Sequence, residues 1–160
     1  MKTLRIYVDT SVLGGCFDEV FARWSRGLVE DFRQARFKPV FSDVTAAEVR
    51  RAPELVRDLL AELEPLGEAI TITPEADELV RAYEARGILG PRWRNDMLHI
   101  ALATIAEVDV LVSWNFKHIV RLDRIRLFNA VHLETGYKPI AIYSPREVTT
   151  HGEDPADPSG

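Results

Sequence analysis

The sequence alternates between short apolar runs rich in β-branched residues and longer segments with an apolar face at helical spacing. The short runs are LRIYV (4–8), PVFS (39–42), AITIT (69–73), VDVLVSW (108–114) and PIAIY (139–143). A chain that alternates strands with helices builds a parallel sheet from βαβ crossovers, and the crossover helices cover both faces of that sheet. The alternation therefore predicts an α/β fold with a central parallel sheet.

Helices are predicted in the segments between these runs. Residues 17–36 carry Phe17, Phe21, Trp24 and Leu28 at three- and four-residue spacing, which is typical of an amphipathic helix. The other predicted helices cover 43–52, 54–63, 74–86, a segment with Asn95 as its N-cap, and the basic segment 115–128.

The length of 160 residues, 46% of them hydrophobic, suits a single domain with one core, which we place at residues 1–148. From residue 149 onward the sequence TTHGEDPADPSG has no large apolar residue, so residues 149–160 are predicted to be a disordered acidic tail. No window approaches the roughly 18 consecutive apolar residues of a membrane span. The N-terminus enters a strand-like run without a signal-peptide pattern, so a cytoplasmic location is expected.

The formal net charge of −5 argues against nucleic-acid binding through an overall positive field. It is compatible with an acidic metal site, because a carboxylate cluster that binds divalent cations itself makes the count negative. Cys16 is the only cysteine, which excludes an intrachain disulfide and a CxxC metal or redox pair.

Polar residues follow three of the predicted strands. Asp9 comes directly after the first, Glu48 lies one helical turn beyond the second, and Ser113 and Asn115 follow the fourth. Asp96 is in the first turn of the helix that RWRND opens. Ligands of parallel α/β sheets bind beyond the carboxyl ends of the strands, and clustered carboxylates repel one another unless a cation is present. The pattern favours a Mg²⁺ or Mn²⁺ site suited to phosphodiester hydrolysis.

Each carboxylate also has a purely structural interpretation. Thr45 and Glu48 fit the S/T-x-x-E capping box, Asp96 in a first turn suits the helix dipole, and Asp9 could cap the next helix. Asp9 at a strand end is also similar to the nucleophile of haloacid-dehalogenase phosphatases, but that class needs a second aspartate where Ser11 stands.

The motifs VDTSVL, AAEVRRA, RNDMLHIALA and LVSWNFKHI, in this order, resemble those of the PIN-domain nucleases, in particular the VapC-like toxins of toxin–antitoxin modules. The resemblance covers about residues 4–143. It implies a compact three-layer α/β/α sandwich and a Mg²⁺- or Mn²⁺-dependent endoribonuclease that hydrolyses RNA. It also implies an antitoxin protein as partner and a homodimer.

Carried over residue by residue, the resemblance implies that the catalytic metal ligands are Asp9, Glu48 and Asp96. Ser11 and Ser113 are expected to order these ligands. Asn115 joins the catalytic set where many relatives have a fourth aspartate, and its neutral amide weakens a second metal site. This departure keeps an alternative open, namely an inactive PIN-like module that binds a protein or RNA partner without cutting it.

Basic residues close to these positions in sequence are expected to contact RNA phosphates. They are Arg92, Arg94, Lys117, His118 and Arg121. Lys117 and Arg121 are four residues apart on a predicted helix, so they are expected to share a face. Trp114 is interpreted as a packing residue that could also stack a base. His99 is interpreted as a packed histidine rather than a proton-transfer group.

Overall fold

The computed structural model describes residues 2–152, and in this part of the chain five parallel strands form one sheet. The strands are β1 (Leu4–Val8), β2 (Phe37–Ser42), β3 (Glu68–Ile70), β4 (Val110–Val112) and β5 (Ile142–Tyr143), in the order β3-β2-β1-β4-β5. The predicted α/β fold with a central parallel sheet is confirmed.

Helices cover both faces of the sheet. They are α1 (Thr10–Gly15), α2 (Ala22–Arg33), α3 (Asp43–Val49), α4 (Glu54–Leu63), α5 (Pro74–Ala85), α6 (Arg94–Ile105), α7 (Leu122–Thr135) and α8 (Pro145–Val148). Short 3₁₀ turns lie at Glu64–Leu66 and Pro91–Trp93. Within residues 2–152, no helix combines the length and the apolar character that crossing a membrane requires.

The core consists of two clusters, one on each face of the sheet, and β1 contributes to both. Ile6 and Val8 pack with α1, α2 and α4, whereas Tyr7 packs with α5, α6 and α7 on the opposite face. All three side chains are fully buried, because successive residues of a strand point to opposite faces and helices cover both. This arrangement confirms the three-layer α/β/α sandwich.

The first predicted helix, 17–36, is shorter in the structure because turns occupy both of its ends. Asp18 accepts a hydrogen bond from the backbone N–H of Val20 at 2.8 Å, which forms a side-chain turn before α2 begins at Ala22. Ala35 has a φ of 57°, a left-handed conformation that ends the helix. The predicted strands 69–73, 108–114 and 139–143 are also reduced to three, three and two residues.

The predicted helix 115–128 is wrong in its first part. Asn115 Oδ1 accepts hydrogen bonds from the backbone N–H groups of Lys117 and His118, so this segment is a turn and α7 begins only at Leu122. Lys117 and Arg121 therefore do not share a helix face. Asn95 is not an N-cap either, because the preceding 3₁₀ turn runs directly into α6, which begins one residue before Asn95.

The first residues of the predicted tail contact the domain. Asp31 on α2 is fully buried and accepts hydrogen bonds from Thr149 Oγ1 at 2.8 Å, from the Thr150 backbone N–H at 3.0 Å and from the Thr150 hydroxyl. Residues 149–152 thus differ from a disordered tail, since a buried carboxylate with these partners anchors them. Residues 153–160 of the predicted tail lie outside the described residues.

Candidate functional site

The sheet topology places a crevice beside β1. The chain adds β2 and β3 on one side of β1 and then returns to add β4 and β5 on the other. In parallel α/β sheets, ligands bind at such a reversal, outside the carboxyl ends of the two strands that flank it. Asp9 follows β1 and Ser113 follows β4. The Asp9 backbone N–H donates to the carbonyl oxygen of Val112 at 3.1 Å, so the two strand ends lie side by side.

Two serines hold the Asp9 carboxylate in place. Asp9 is 5% exposed, and its Oδ2 accepts hydrogen bonds from Ser11 Oγ at 2.6 Å and from Ser113 Oγ at 2.7 Å. Asp9 occupies the N-cap position of α1, yet its side chain makes no capping hydrogen bond. The helix-cap interpretation of Asp9 is therefore wrong. Its second oxygen, Oδ1, lies 3.3 Å from His99 Nε2.

Glu48 reaches the same place from α3. Its Oε1 accepts a hydrogen bond from Thr10 Oγ1 at 3.0 Å and lies 2.6 Å from His99 Nε2. The capping-box interpretation is wrong, because Ser42 caps α3 by accepting the backbone N–H two residues on. Thr45 Oγ1, which that interpretation requires as the capping group, is buried and has no hydrogen-bond partner among residues 2–152.

His99 on α6 joins the two carboxylates. Its side chain is fully buried, with Nε2 facing Asp9 and Glu48 and with Nδ1 2.7 Å from the Tyr7 hydroxyl. That hydroxyl also lies 2.6 Å from Ser42 Oγ. Burial alone lowers the pKa of His99, but Tyr7 and the two carboxylates outweigh it and hold this pKa well above 6.5. A proton on the imidazole thus neutralises part of the acidic charge.

The three side chains have a donor set that fits a divalent cation. Asp9, Glu48 and His99 each offer one ligand atom, and these atoms lie within 4.8 Å of one another. Carboxylate oxygens suit Mg²⁺ and Mn²⁺, and an imidazole nitrogen is a common transition-metal ligand. Burial raises the pKa of Glu48, but the hydrogen bonds from His99 and Thr10 and the charge of His99 outweigh burial. The pKa is therefore lowered overall, and the carboxylate stays ionised.

Asp96, predicted as the third acidic ligand, lies next to this group rather than within it. Its Oδ2 is 2.8 Å from His118 Nδ1. Burial raises the pKa of Asp96 and the charge of Asp9 raises it further, while the contact with His118 partly offsets both. Asn115 supports this pair, because its side chain forms the turn that brings His118 to Asp96. Its carbonyl oxygen, the atom expected to replace a fourth carboxylate, thus bonds the backbone.

An open cleft of about 560 Å³ lies in front of these residues. Glu48 and Asp96 form its acidic part, and Arg92 and Lys117 line its basic part. Both cations lie against the ring of Trp93: Arg92 Cζ is 4.9 Å and Lys117 Nζ 5.7 Å from its centre. These cation–π contacts keep both positive charges at the cleft wall. The cleft therefore combines a carboxylate centre with groups that attract phosphate.

The predicted RNA-contacting residues differ in their surroundings. Those that line the cleft are Arg92, Arg94, Lys117 and His118. The Arg94 guanidinium is ion-paired with Asp77 and Glu84, and Arg121 Nε lies 2.8 Å from Asp123. Arg121 is absent from the described lining of the cleft. Of the predicted RNA-contacting residues that line the cleft, Arg92 and Lys117 are thus the two without a carboxylate partner among residues 2–152.

Trp114 is a core residue rather than a stacking surface. It is 8% exposed, its ring stacks on Phe21 with 4.2 Å between ring centres, and its Nε1 donates to Ser25 Oγ. Trp93 is the tryptophan of the cleft, and sequence reasoning did not select it. His99 was interpreted as a packing residue. The sequence does contain a signal for its role: His99 follows Asp96 by three residues on one helix, so both side chains lie on the same helix face.

Comparisons with known proteins agree with this arrangement. The family model described as PIN domain matches residues 6–124. Among solved structures, the chain is similar to one in the crystal structure of VapBC2 from Rickettsia felis bound to a DNA fragment from their promoter. The two share 15% sequence identity and a TM-score of 0.56, and the match covers 88% of this chain and 98% of the other. The curated protein sequences contain no significant match. At this identity the structural likeness supports the fold alone.

Proposed function

Because the chain belongs to the PIN-domain family, we propose that it is a Mg²⁺- or Mn²⁺-dependent endoribonuclease and the toxin of a toxin–antitoxin pair. PIN domains are generally nucleases that use divalent metal ions. The observation that carries the proposal is the meeting of Asp9, Glu48 and His99 outside the strand ends, next to a cleft with cationic walls. A site of this composition suits the hydrolysis of a phosphodiester bond.

Asp9 and Glu48 would hold the metal ion, with Asp96 beside it, directly or through water. His99 Nε2 would be a third donor after the ion displaces its proton. When bound, a divalent ion neutralises phosphate charge and lowers the pKa of a water molecule that attacks the phosphorus. Ser11 and Ser113 keep the Asp9 carboxylate in one orientation, and Thr10 does the same for Glu48. Such supporting hydrogen bonds position the ligands of a metal site.

Asp96 and His118 form the proton-transfer pair of this proposal. The pKa of Asp96 is raised, and its Oδ2 faces His118 Nδ1 at 2.8 Å at the wall of the cleft. A carboxyl group with a raised pKa accepts and returns a proton more readily near neutral pH than an ordinary aspartate does. We assign Asp96 Oδ1, the carboxylate oxygen that does not face His118, as the atom that takes the proton of the attacking water.

The basic part of the cleft would bind the RNA. Arg92 and Lys117 contact phosphates, and the half-buried Trp93 ring beside them offers a surface on which a base stacks. The guanidinium of Arg94 serves mainly to hold α6 to α5, because its two partners Asp77 and Glu84 lie on α5.

The second candidate function is an inactive module that binds a protein or RNA partner. Asn115 favours it, because this residue brings no charge and its side-chain oxygen bonds the backbone of the turn. A binding module would keep its affinity for the partner when one carboxylate is neutralised. A nuclease would lose turnover.

A cleavage assay separates the two candidates. The purified protein is incubated with single-stranded and structured RNAs in Mn²⁺, in Mg²⁺ or in chelator, beside Asp9→Asn and Asp96→Asn. We expect cutting only with metal, and a loss of about 100-fold or more in both variants. Asp58→Asn is the matched control, because Asp58 is an exposed carboxylate on α4 that lines neither the cleft nor the metal group.

Failure of every folded protein to cut RNA, with no inhibitor co-purified, would contradict the nuclease proposal and favour the binding module. Calorimetry tests the metal site separately: Asp9→Asn is expected to weaken Mn²⁺ binding, and unchanged affinity in the folded variant would refute its assignment as a ligand.

The toxin proposal brings further expectations. They are an antitoxin protein as partner, a homodimer and a cytoplasmic location. The structural neighbour was crystallised with promoter DNA, which supports a comparison with toxin–antitoxin modules. Light scattering tests the dimer, and a monomer at high micromolar concentration would contradict it. Growth arrest on expression, relieved by a co-expressed neighbouring gene, is expected of a toxin and would be absent for a processing nuclease.

A further inference from the structure

A second open cleft, of about 600 Å³, adjoins the first. The two clefts share Glu48 and Asn95, so the Glu48 carboxylate stands between them. The walls of the second cleft include Arg50 and Arg51, which follow directly after α3. The acidic centre therefore has cationic side chains on two sides, with Arg92 and Lys117 in one cleft and this arginine pair in the other.

Arg50 and Arg51 are both exposed, and within residues 2–152 neither side chain has an ion pair or a hydrogen bond. Several other exposed or half-buried arginines are ion-paired with carboxylates, namely Arg5, Arg33, Arg86, Arg94 and Arg121. Arg50 and Arg51 thus place two adjacent guanidinium groups, without a carboxylate partner among residues 2–152, at the wall of the second cleft. Guanidinium groups bind phosphate oxygens in a bidentate geometry, which makes a phosphate backbone a matching ligand.

We propose that the two clefts form one track for a single RNA strand, which crosses the centre at Glu48 and continues over Arg50 and Arg51. The inference rests on the proposed function and extends it to the path of the substrate. The carboxylates of the centre repel a polyanion, so cations that bind the backbone on both sides stabilise a strand that crosses it. Arg92 and Lys117 supply these cations on the near side, and the arginine pair supplies them on the far side.

The C-terminal end of a helix also attracts cations, so Arg50 and Arg51 stabilise α3 in any case. The test therefore needs a quantity that this local role does not change. The dependence of RNA affinity on salt concentration is such a quantity, because each phosphate contact on a single strand contributes about 0.7 to the slope of log affinity against log salt.

The experiment uses the non-cleaving Asp96→Asn protein in Mn²⁺ and labelled single-stranded oligoribonucleotides of about 4 and about 12 nucleotides. Fluorescence anisotropy gives the affinity at several salt concentrations. Adding Arg50→Ala and Arg51→Ala is expected to weaken binding of the long oligonucleotide about tenfold and to lower its salt slope by about 1.4, which is two contacts of about 0.7 each. The affinity advantage of the long over the short oligonucleotide is expected to shrink.

Arg81→Ala with Arg126→Ala is the matched control, because both arginines are exposed, have no described partner and line neither cleft. This control removes the same charge and is expected to leave the slope unchanged. An unchanged slope in the Arg50 and Arg51 variant, or an equal loss in the control, would overturn the track.

Cleavage by the protein without these substitutions, measured on the same long oligonucleotide, keeps the two proposals apart. If it cuts while the arginine pair has no effect on the slope, the track is wrong and the nuclease stands. If it neither binds nor cuts RNA, both proposals fall.

Discussion

The sharpest prediction for stability concerns His132, a fully buried histidine on α7 whose neutral form belongs to the core. Its Nδ1 lies 3.0 Å from Asn129 Oδ1, an oxygen that also accepts the backbone N–H of Ile140. Because that oxygen is an acceptor, Nδ1–H is the donor, and Nε2 accepts from the Tyr83 hydroxyl at 2.5 Å. Burial lowers the pKa of His132 from 6.5 to about 4.

Because the pKa of His132 is lowered in the folded chain, acid destabilises the fold. The unfolded chain takes up a proton at His132 near pH 6.5 and the folded chain does so only near pH 4, so the unfolded state binds more protons between these values. The stability from a neutral His132 is complete above pH 6.5 and is lost as the pH falls toward 4. The full difference is about 3 kcal/mol, of which about 2 kcal/mol is lost between pH 7 and pH 5.

Urea unfolding followed by circular dichroism at pH 7, 6 and 5 measures this loss. His132→Gln is the reference, because glutamine keeps hydrogen-bonding groups but does not titrate. Other groups titrate equally in both proteins, so the stability difference between wild type and variant is expected to shrink by about 2 kcal/mol from pH 7 to pH 5. A constant difference would refute the argument. If the variant does not fold, an NMR titration in which His132 protonates near pH 6.5 would refute it instead.

Three further predictions concern packing and hydrogen bonds. A Cβ at Gly15 would lie 2.7 Å from Trp114 Nε1, so Gly15→Ala is expected to cost about 1–3 kcal/mol of unfolding free energy. Gly14→Ala, with open space around it, is expected to gain up to about 1 kcal/mol, and equal effects of the two substitutions would contradict this. Tyr7→Phe removes one hydrogen bond of Ser42 Oγ and leaves the buried His99 Nδ1 unpaired, so it is expected to cost about 1–3 kcal/mol in thermal unfolding, and an unchanged melting temperature would argue against this network. Asp31→Asn is expected to make residues 149–152 more accessible to proteases, and cleavage as slow as in the wild type would show that Asp31 does not anchor them.

The elements that were predicted best are those with a long or unbroken local pattern. The helix predicted at 54–63 has these bounds in the structure, and the helix that Pro74 begins ends at Ala85. The segment 115–128 was predicted less well, because its basic composition suits a helix but the Asn115 side chain captures two backbone N–H groups. Local competition of this kind is not visible in helical periodicity.

The sequence by itself determined the layered α/β architecture, because strand and helix periodicities alternate along the chain and short connections leave few other topologies. It also determined that Asp9, Glu48 and Asp96 come close to one edge of the sheet, since each follows the carboxyl end of a strand or begins a helix there. Which side chains meet was decided only by tertiary structure. His99 rather than Asp96 completes the closest donor group, and Trp93 rather than Trp114 faces the cleft. The physical reason is that the partners of these side chains depend on how α6 packs against the sheet. This packing brings His99 to Tyr7 and to Glu48, and both of these residues are more than fifty positions away in the chain.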